Sequence, residues 1–150
     1  MKIYIGADHQ GFYLREKLLK YLRAQGYYIA DKGDNQLNPT DDYPQFAARV
    51  VVAMLGSDDP EPRGILLCGS GQGMCMAANR YKSIRACLGY NQKTVKAARN
   101  DDDSNVLCLP AATLKEKELY QIVDTWLKTP FSAAPRYARR NRELDELGQE

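Results

Sequence analysis

Short runs of apolar residues alternate along the chain with longer stretches in which apolar residues recur every third or fourth position. The short runs are typical of buried strands, and the longer stretches are typical of amphipathic helices. Five strands are predicted, at residues 3–5, 27–30, 64–68, 84–88 and 106–109. Helices are predicted around Leu14, Leu18 and Leu22, at residues 46–54, 74–78, 94–99 and 119–127, and after Pro135.

Strands that alternate with helices predict a parallel sheet covered by helices on both faces. The run 64–68 is wholly apolar, as expected of a strand that is buried on both sides. The chain has 150 residues with no repeat or internal linker, so residues 1–150 are predicted to form one α/β domain. Ligands bind such sheets beyond the carboxyl ends of the strands. The segments expected there are residues 8–9, 31–33, 68–73 and 101–105.

The composition is that of an ordered globular protein, with 44% hydrophobic and 27% charged residues. The formal net charge of +2 does not indicate nucleic-acid or membrane binding, and neither partner is expected. The sequence shows no signal-peptide pattern and no apolar stretch that could cross a bilayer, so the cytoplasm is the expected location. The chain has one histidine and no Cys-x-x-Cys pair, which argues against a zinc site. The four cysteines, Cys68, Cys75, Cys87 and Cys108, are expected to be free thiols.

A glycine-rich loop, Cys68-Gly69-Ser70-Gly71-Gln72-Gly73, joins the third predicted strand to a helix. Glycines at alternate positions allow a tight turn with backbone N–H groups directed inward, and the helix adds the positive end of its dipole. The loop is therefore suited to holding an anion. A thiol at a helix N-terminus can have its pKa lowered toward neutrality and then serve as a nucleophile or a base. The alternative interpretation of Cys68 is a buried strand-end cysteine without chemistry.

The identity of the anion is narrowed by the residues that follow the glycines. A dinucleotide fingerprint needs a small residue where Met74 stands, and an acidic residue about twenty positions later is missing. A P-loop needs a Lys-Ser/Thr pair, which is also missing. An enediolate or another oxyanion fits better, because a reactive side chain opens the loop.

Two arginines near the C-terminus are candidates for binding phosphate. Arg136 and Arg140 are four residues apart, which places both on one face of a helix. Guanidinium groups bind phosphate oxygens in a bidentate manner. The alternative is a charged helix face that is merely solvated.

Several short motifs together resemble one known family. They are Gly6-Ala7-Asp8-His9-Gln10-Gly11, Asp31-Lys32-Gly33, Asp42-Tyr43-Pro44, Cys68-Gly69-Ser70-Gly71-Gln72-Gly73, Ala77-Ala78-Asn79, Ile84-Arg85-Ala86, Ser104-Asn105-Val106-Leu107 and the arginine-rich C-terminal segment. The set resembles ribose-5-phosphate isomerase type B and its galactose-6-phosphate isomerase relatives. The resemblance covers essentially the whole chain, and its specific parts are the cysteine-glycine loop and the Asp-His pair.

The resemblance implies a three-layer Rossmann-like domain with a C-terminal helix, and a homodimer with two active sites at the subunit interface. Dimers that pair into tetramers are compatible with it, and residues 131–150 are expected to pack on the partner subunit. The implied reaction moves a proton between C1 and C2 of ribose 5-phosphate, or of a closely related sugar phosphate, through a cis-enediolate. Neither a metal nor an organic cofactor is expected.

The resemblance also implies roles for individual residues. Cys68 would be the base that takes and returns the proton, and Ser70 would assist proton exchange with the substrate oxygens. The enediolate would be stabilised by the backbone N–H groups of the loop residues Gly69, Gly71, Gln72 and Gly73. The sugar hydroxyls would be held by Asp8 and Tyr43, and the phosphate by His9, Arg136 and Arg140.

The sequence departs from the family pattern at four positions. The family histidine that opens the sugar ring aligns with Asp101, and the asparagine after it aligns with Asp102. A family arginine after the fifth strand aligns with Ala112, and a histidine beside the first C-terminal arginine aligns with Tyr137. An aspartate can still transfer a proton, although a carboxyl group at its ordinary pKa is a poor acid at neutral pH. Asp101 is therefore a candidate catalytic residue and Asp102 a candidate substrate ligand, whereas the alternative is that residues 101–103 form a solvated loop.

Three other functional classes are weighed against the isomerase. A sugar-phosphate-binding regulator without turnover is favoured by the missing histidine and arginine, but the intact Cys68 loop argues against it. A dinucleotide-dependent oxidoreductase is disfavoured by Met74. A thiol redox enzyme would need a resolving cysteine close to Cys68 in the sequence, and none is found there.

Overall fold

The computed structural model describes residues 1–148; residues 149–150, the end of the predicted partner-packing segment 131–150, lie outside it. The strands are β1 (Lys2–Ala7), β2 (Tyr28–Asp31), β3 (Arg63–Cys68), β4 (Ala86–Leu88) and β5 (Val106–Pro110). The helices are α1 (Phe12–Ala24), α2 (Tyr43–Leu55), α3 (Gln72–Ala78), α4 (Gln92–Asp102), α5 (Glu116–Lys128) and α6 (Pro135–Glu146).

The five strands form one parallel sheet in the order β2-β1-β3-β5-β4. Alternate residues of the central strands point to opposite faces, as the twofold period of a strand requires. On one face the sheet packs with α1 and α5, whose buried residues include Leu18, Leu22 and Trp126. On the other face it packs with α2 and α3, which bury Phe46 and Met74. The predicted α/β fold with helices on both faces and a C-terminal helix is confirmed.

Residues 101–105 do not follow a strand, so the expectation that they lie beyond a carboxyl strand end is wrong. Asp101 and Asp102 form the last turn of α4, and the strand that comes next, β5, only begins at Val106. Val106 pairs with Gly64 at the start of β3, which places the end of α4 at the amino edge of the sheet. A helix between two parallel strands must return to the edge where the second strand begins.

A buried arginine fixes the loop between β2 and α2. The Arg15 side chain is 1% exposed, and its Nη2 donates a hydrogen bond of 2.6 Å to the carbonyl oxygen of Asp34. The guanidinium lies against Gly33, where an added Cβ would be only 1.6 Å from Nη1. The glycine thus leaves room for the arginine that ties this loop to α1. The same loop continues into the residues that precede α2, which contribute to the site described below.

In the described part of the chain, no helix is both long enough and apolar enough to cross a lipid bilayer.

Candidate active site

The glycine loop lies at the carboxyl end of β3, where Cys68 is the last strand residue. Cys68 is 5% exposed and packs with the apolar residues of the face covered by α2 and α3. Its carbonyl oxygen accepts a 2.9 Å hydrogen bond from the Ala111 N–H, and that of Gly69 accepts one of 3.0 Å from Ala112. The turn after β5 therefore holds the start of the loop in place. This gives the thiol a fixed position at the strand end.

Two glycines in the loop are required by close contacts. Gly71 has a φ of +74°, which side chains with a Cβ rarely adopt. A Cβ on Gly69 would lie 1.8 Å from Oε1 of Gln10, so the β1 end and the loop touch directly. Ser70 is exposed, and its Oγ accepts a 3.3 Å hydrogen bond from the Gln72 N–H. The loop thus brings the Cys68 strand end and the Gln10 segment together.

Asp8 lies one residue beyond β1 and is 5% exposed. Its Oδ1 accepts hydrogen bonds from the N–H groups of Gln10, at 2.9 Å, and Gly11, at 3.2 Å. Burial raises the pKa of this carboxyl, while the two backbone hydrogen bonds oppose the rise. The Asp8 N–H donates to the carbonyl oxygen of Leu67, the residue before Cys68. Asp8 is therefore held next to the cysteine at the same sheet edge.

His9 is paired with Asp41, a residue that the sequence analysis did not single out as a ligand. Oδ1 of Asp41 lies 2.7 Å from Nδ1 of His9 and also accepts a 2.9 Å hydrogen bond from the His9 N–H. The hydrogen bond to Asp41 raises the pKa of His9. A strand-end histidine and an acidic loop residue 32 positions apart share no spacing pattern, so only the folded loop reveals the pair.

Tyr43 is the first residue of α2 and has Pro44 beside it in the first turn. Its ring lies against Gly73 of the glycine loop, where a Cβ would be 2.6 Å from Cζ. Tyr43 is 39% exposed, so part of this residue faces solvent at this edge. Together, Cys68, Asp8, His9 and Tyr43 surround one end of the sheet.

Among the described residues, Asp8, His9 and Asp41 are the one group with enough metal-ligand atoms close together, all within 4.8 Å. Their oxygen and nitrogen atoms already serve the internal hydrogen bonds given above. The expectation that the site needs neither metal nor cofactor stays a prediction.

The structure does not bring the remaining predicted residues to this edge. Asp101 and Asp102 end α4, and Arg136 and Arg140 lie on α6. Nη2 of Arg136 donates a 3.0 Å hydrogen bond to the Tyr137 hydroxyl. Partial withdrawal from water and the charge of Asp101 raise the pKa of Asp102, while Arg140 opposes the rise. Asp101, Asp102, Arg136 and Arg140 form a second cluster, called the α4–α6 cluster.

The α4–α6 cluster and the Cys68 loop lie at opposite edges of the sheet. The strand pair from Gly64–Val106 to Cys68–Pro110 separates the two edges. Four residue steps along a strand span about 13 Å. One chain therefore does not combine its own two clusters around a single small substrate. Asp103, next to the α4–α6 cluster, is ion-paired with Arg85 and Arg99, so the solvated-loop interpretation of residues 101–103 fails for this residue.

The His9–Asp41 pair predicts a pH dependence that can be measured without any substrate. In the folded protein the single histidine should titrate above its ordinary pKa, because Asp41 stabilises the imidazolium. The stabilisation of the fold is fully present below the ordinary histidine pKa and is lost as the pH rises through the raised value. Replacing Asp41→Asn should lower the pKa of His9 toward the ordinary value. NMR titration of the one histidine ring measures both values directly.

Asp42→Asn is the matched control, since Asp42 is exposed and makes no side-chain cap on α2. The His9 titration should be nearly unchanged in this variant. Equal shifts in both variants would show that general charge, and not the pair, sets the pKa.

The sequence and the structure of this chain are both similar to those of known proteins from one family. Residues 3–144 match the family model described as Ribose/Galactose Isomerase. The "Probable ribose-5-phosphate isomerase B" of Mycoplasma pneumoniae is 41% identical over 138 residues, which cover 92% of this chain and 89% of that protein.

Two solved structures are similar over nearly their full length. A ribose 5-phosphate isomerase from Thermotoga maritima has a TM-score of 0.91 at 40% identity, covering 97% of this chain and 98% of the other. Ribose-5-phosphate isomerase B from Mycoplasma genitalium, solved with bound ribulose-5-phosphate, has a TM-score of 0.92 at 37% identity and covers 99% and 97%. The match over most of the chain, together with the cysteine that opens the glycine loop, means that this protein belongs to the ribose/galactose isomerase family.

Proposed function

We propose that this protein interconverts ribose 5-phosphate and ribulose 5-phosphate. The observation that carries the proposal is the fixed position of Cys68 at the head of the glycine loop, with Asp8, His9 and Tyr43 around it. Relatives named ribose-5-phosphate isomerase B share this fold, and one of them binds ribulose-5-phosphate. An aldose–ketose isomerization needs one base placed against two adjacent carbons, and Cys68 is the base that we propose.

In the proposed reaction the Cys68 thiolate removes the proton from C2 of the open-chain aldose. The electrons of that C–H bond form the C1–C2 double bond, and the carbonyl oxygen on C1 becomes the negative oxygen of an enediolate. Backbone N–H groups of residues 69–73 stabilise that charge. A proton then moves from the C2 hydroxyl to the C1 oxygen, assisted by Ser70, and Cys68 returns its proton to C1. Asp8 and Tyr43 hold the sugar hydroxyls, and His9 binds the phosphate.

We further propose that each site is completed by a second copy of the chain. The α4–α6 cluster carries two arginines for phosphate, Asp101 for ring opening and Asp102 as a substrate ligand, yet it lies about 13 Å along the strands from its own Cys68. A partner subunit that places its own α4–α6 cluster beside the Cys68 loop of this chain would bring the two halves of the site together. Exposed apolar side chains on α2 and α3 provide a surface for such pairing: Val52, Leu55 and Met76. Packing of segment 131–150 on the partner, and a cytoplasmic location, are part of the same proposal.

Turnover on a panel of aldose and ketose phosphates with four to six carbons tests the function. Ribose 5-phosphate should give ribulose 5-phosphate with the highest kcat/KM of the panel. A different preferred sugar would change the proposed substrate but keep the reaction. Its cause would then lie at Asp101 and Ala112, which replace the family histidine and arginine. Saturable binding without turnover on every sugar would contradict the isomerase.

A further inference from the structure

A basic pocket lies at the amino edge of the sheet, on the side away from the Cys68 loop. The cavity has a volume of about 650 Å³ and contains three arginine side chains, Arg63, Arg85 and Arg99. Arg63 is the first residue of β3, and Arg99 comes from the last turns of α4. Cavities of this size accommodate small-molecule ligands.

Two of the arginines are already neutralised by carboxylates. Oδ1 of Asp103 lies 2.8 Å from Nη1 of Arg99, and Oδ2 lies 3.0 Å from Nη2 of Arg85. Arg85 also donates two 3.1 Å hydrogen bonds to Asp145. Each oxygen of Asp103 therefore accepts from a different guanidinium group, and neither of these groups is that of Arg63.

Arg63 has no comparable partner among the described residues. It is 8% exposed, and its nearest carboxylate oxygen, on Glu61, lies 4.0 Å away on a side chain that is 72% exposed. Its Nη1 has only a long 3.4 Å hydrogen bond to the carbonyl oxygen of Pro62, and its buried Nε has no hydrogen-bond partner. Burial, and to a smaller extent the charge of Arg99, lower the pKa of Arg63. A guanidinium removed from water without a close counterion is unfavourable, and an anion in the cavity would relieve that cost.

We propose that this pocket binds a phosphate-bearing small molecule, with the phosphate against Arg63 and Arg99. Guanidinium forks bind phosphate oxygens in pairs, and both arginines line the cavity. An apolar wall beside the arginines would contact the rest of the ligand; it consists of Pro62, Leu127, Pro130 and Phe131. This pocket is separate from the Cys68 loop, which lies at the opposite edge of the sheet, and neither Arg63 nor Arg99 belongs to the α4–α6 cluster.

Crystals of the full chain soaked in tungstate, a tetrahedral dianion, would locate the site by anomalous scattering. Wild-type protein should show a peak between Arg63 and Arg99, and an Arg63→Gln crystal should show none there while keeping any peak at the Cys68 loop. A peak only at the Cys68 loop, or one that persists at this pocket in Arg63→Gln, would overturn the proposal.

Calorimetric titration with inorganic pyrophosphate measures the effect in solution. Arg63→Gln should weaken one set of pyrophosphate sites by about tenfold or more and leave any binding at the Cys68 loop as in the wild type. Arg63→Lys keeps the charge but loses the paired donors, and should bind with intermediate affinity. Arg23→Gln, the same charge change at an exposed arginine of α1, is the control and should bind as the wild type does. Equal loss of pyrophosphate affinity in Arg23→Gln and Arg63→Gln would show that the overall charge of the protein, and not this pocket, sets the affinity.

Discussion

Replacing Cys68→Ala removes the isomerase activity and leaves the fold in place. The thiol is the proposed proton-transfer base, and a positioned acid–base group contributes ~10²–10⁴-fold to rate. We expect kcat to fall by a factor in that range while KM changes little, because the loop N–H groups and His9 still bind the substrate. Turnover in D₂O gives a second readout, since a base that exchanges its proton with solvent leaves deuterium on the product.

Cys87→Ala is the matched control for that experiment. Cys87 lies in β4, donates its S–H to Ser104 Oγ at 3.5 Å, and burial raises its pKa to about 11. At neutral pH this thiol carries no charge and has no part in the proposed reaction. The control should retain wild-type turnover and should melt within a few degrees of the Cys68→Ala variant. Full activity in Cys68→Ala would show that another group removes the proton.

The fold was predictable because its parts follow short-range rules. Each strand is a short apolar run bounded by glycine or polar residues, and alternation of strands with helices leaves few arrangements other than a parallel sheet. The same rule correctly placed the glycine loop after β3 and Asp8 after β1 at one edge, since parallel strands share the edge at which they end. These two segments touch through Gly69 and Gln10.

The rest of the site depends on features that sequence periodicity does not encode. Residues 101–105 looked like a strand end, but α4 continues through Asp102 and returns the chain to the opposite edge. Asp41 lies in a loop whose path is fixed by the buried Arg15, so its approach to His9 follows from packing and not from spacing. The proposed pairing of the Cys68 loop with the α4–α6 cluster joins two chains, and the spacing of residues in one sequence does not predict such a pairing.

The proposed pairing of the Cys68 loop with the α4–α6 cluster of a second chain predicts the second large effect on activity. Cys68→Ala and the double variant Arg136→Ala/Arg140→Ala should each be nearly inactive alone, because each removes one half of every site. In an isolated heterodimer of the two, one site contains both defects and the other contains none, provided that each site joins the loop of one chain to the α4–α6 cluster of the other. Such heterodimers, purified with two different affinity tags, should recover about half of the wild-type activity per dimer.

The distribution of defects makes this recovery diagnostic. If the Cys68 loop worked with Arg136 and Arg140 of the same chain, every site in the heterodimer would carry one defect, and the heterodimer would stay as inactive as its parents. A heterodimer of Cys68→Ala with wild type should keep about half of the activity in either arrangement, and it therefore calibrates the measurement. Recovery to that level would place Arg136 and Arg140 beside the Cys68 loop of the partner subunit, so the distance of about 13 Å between the sheet edges of one chain would not separate the two halves of a site.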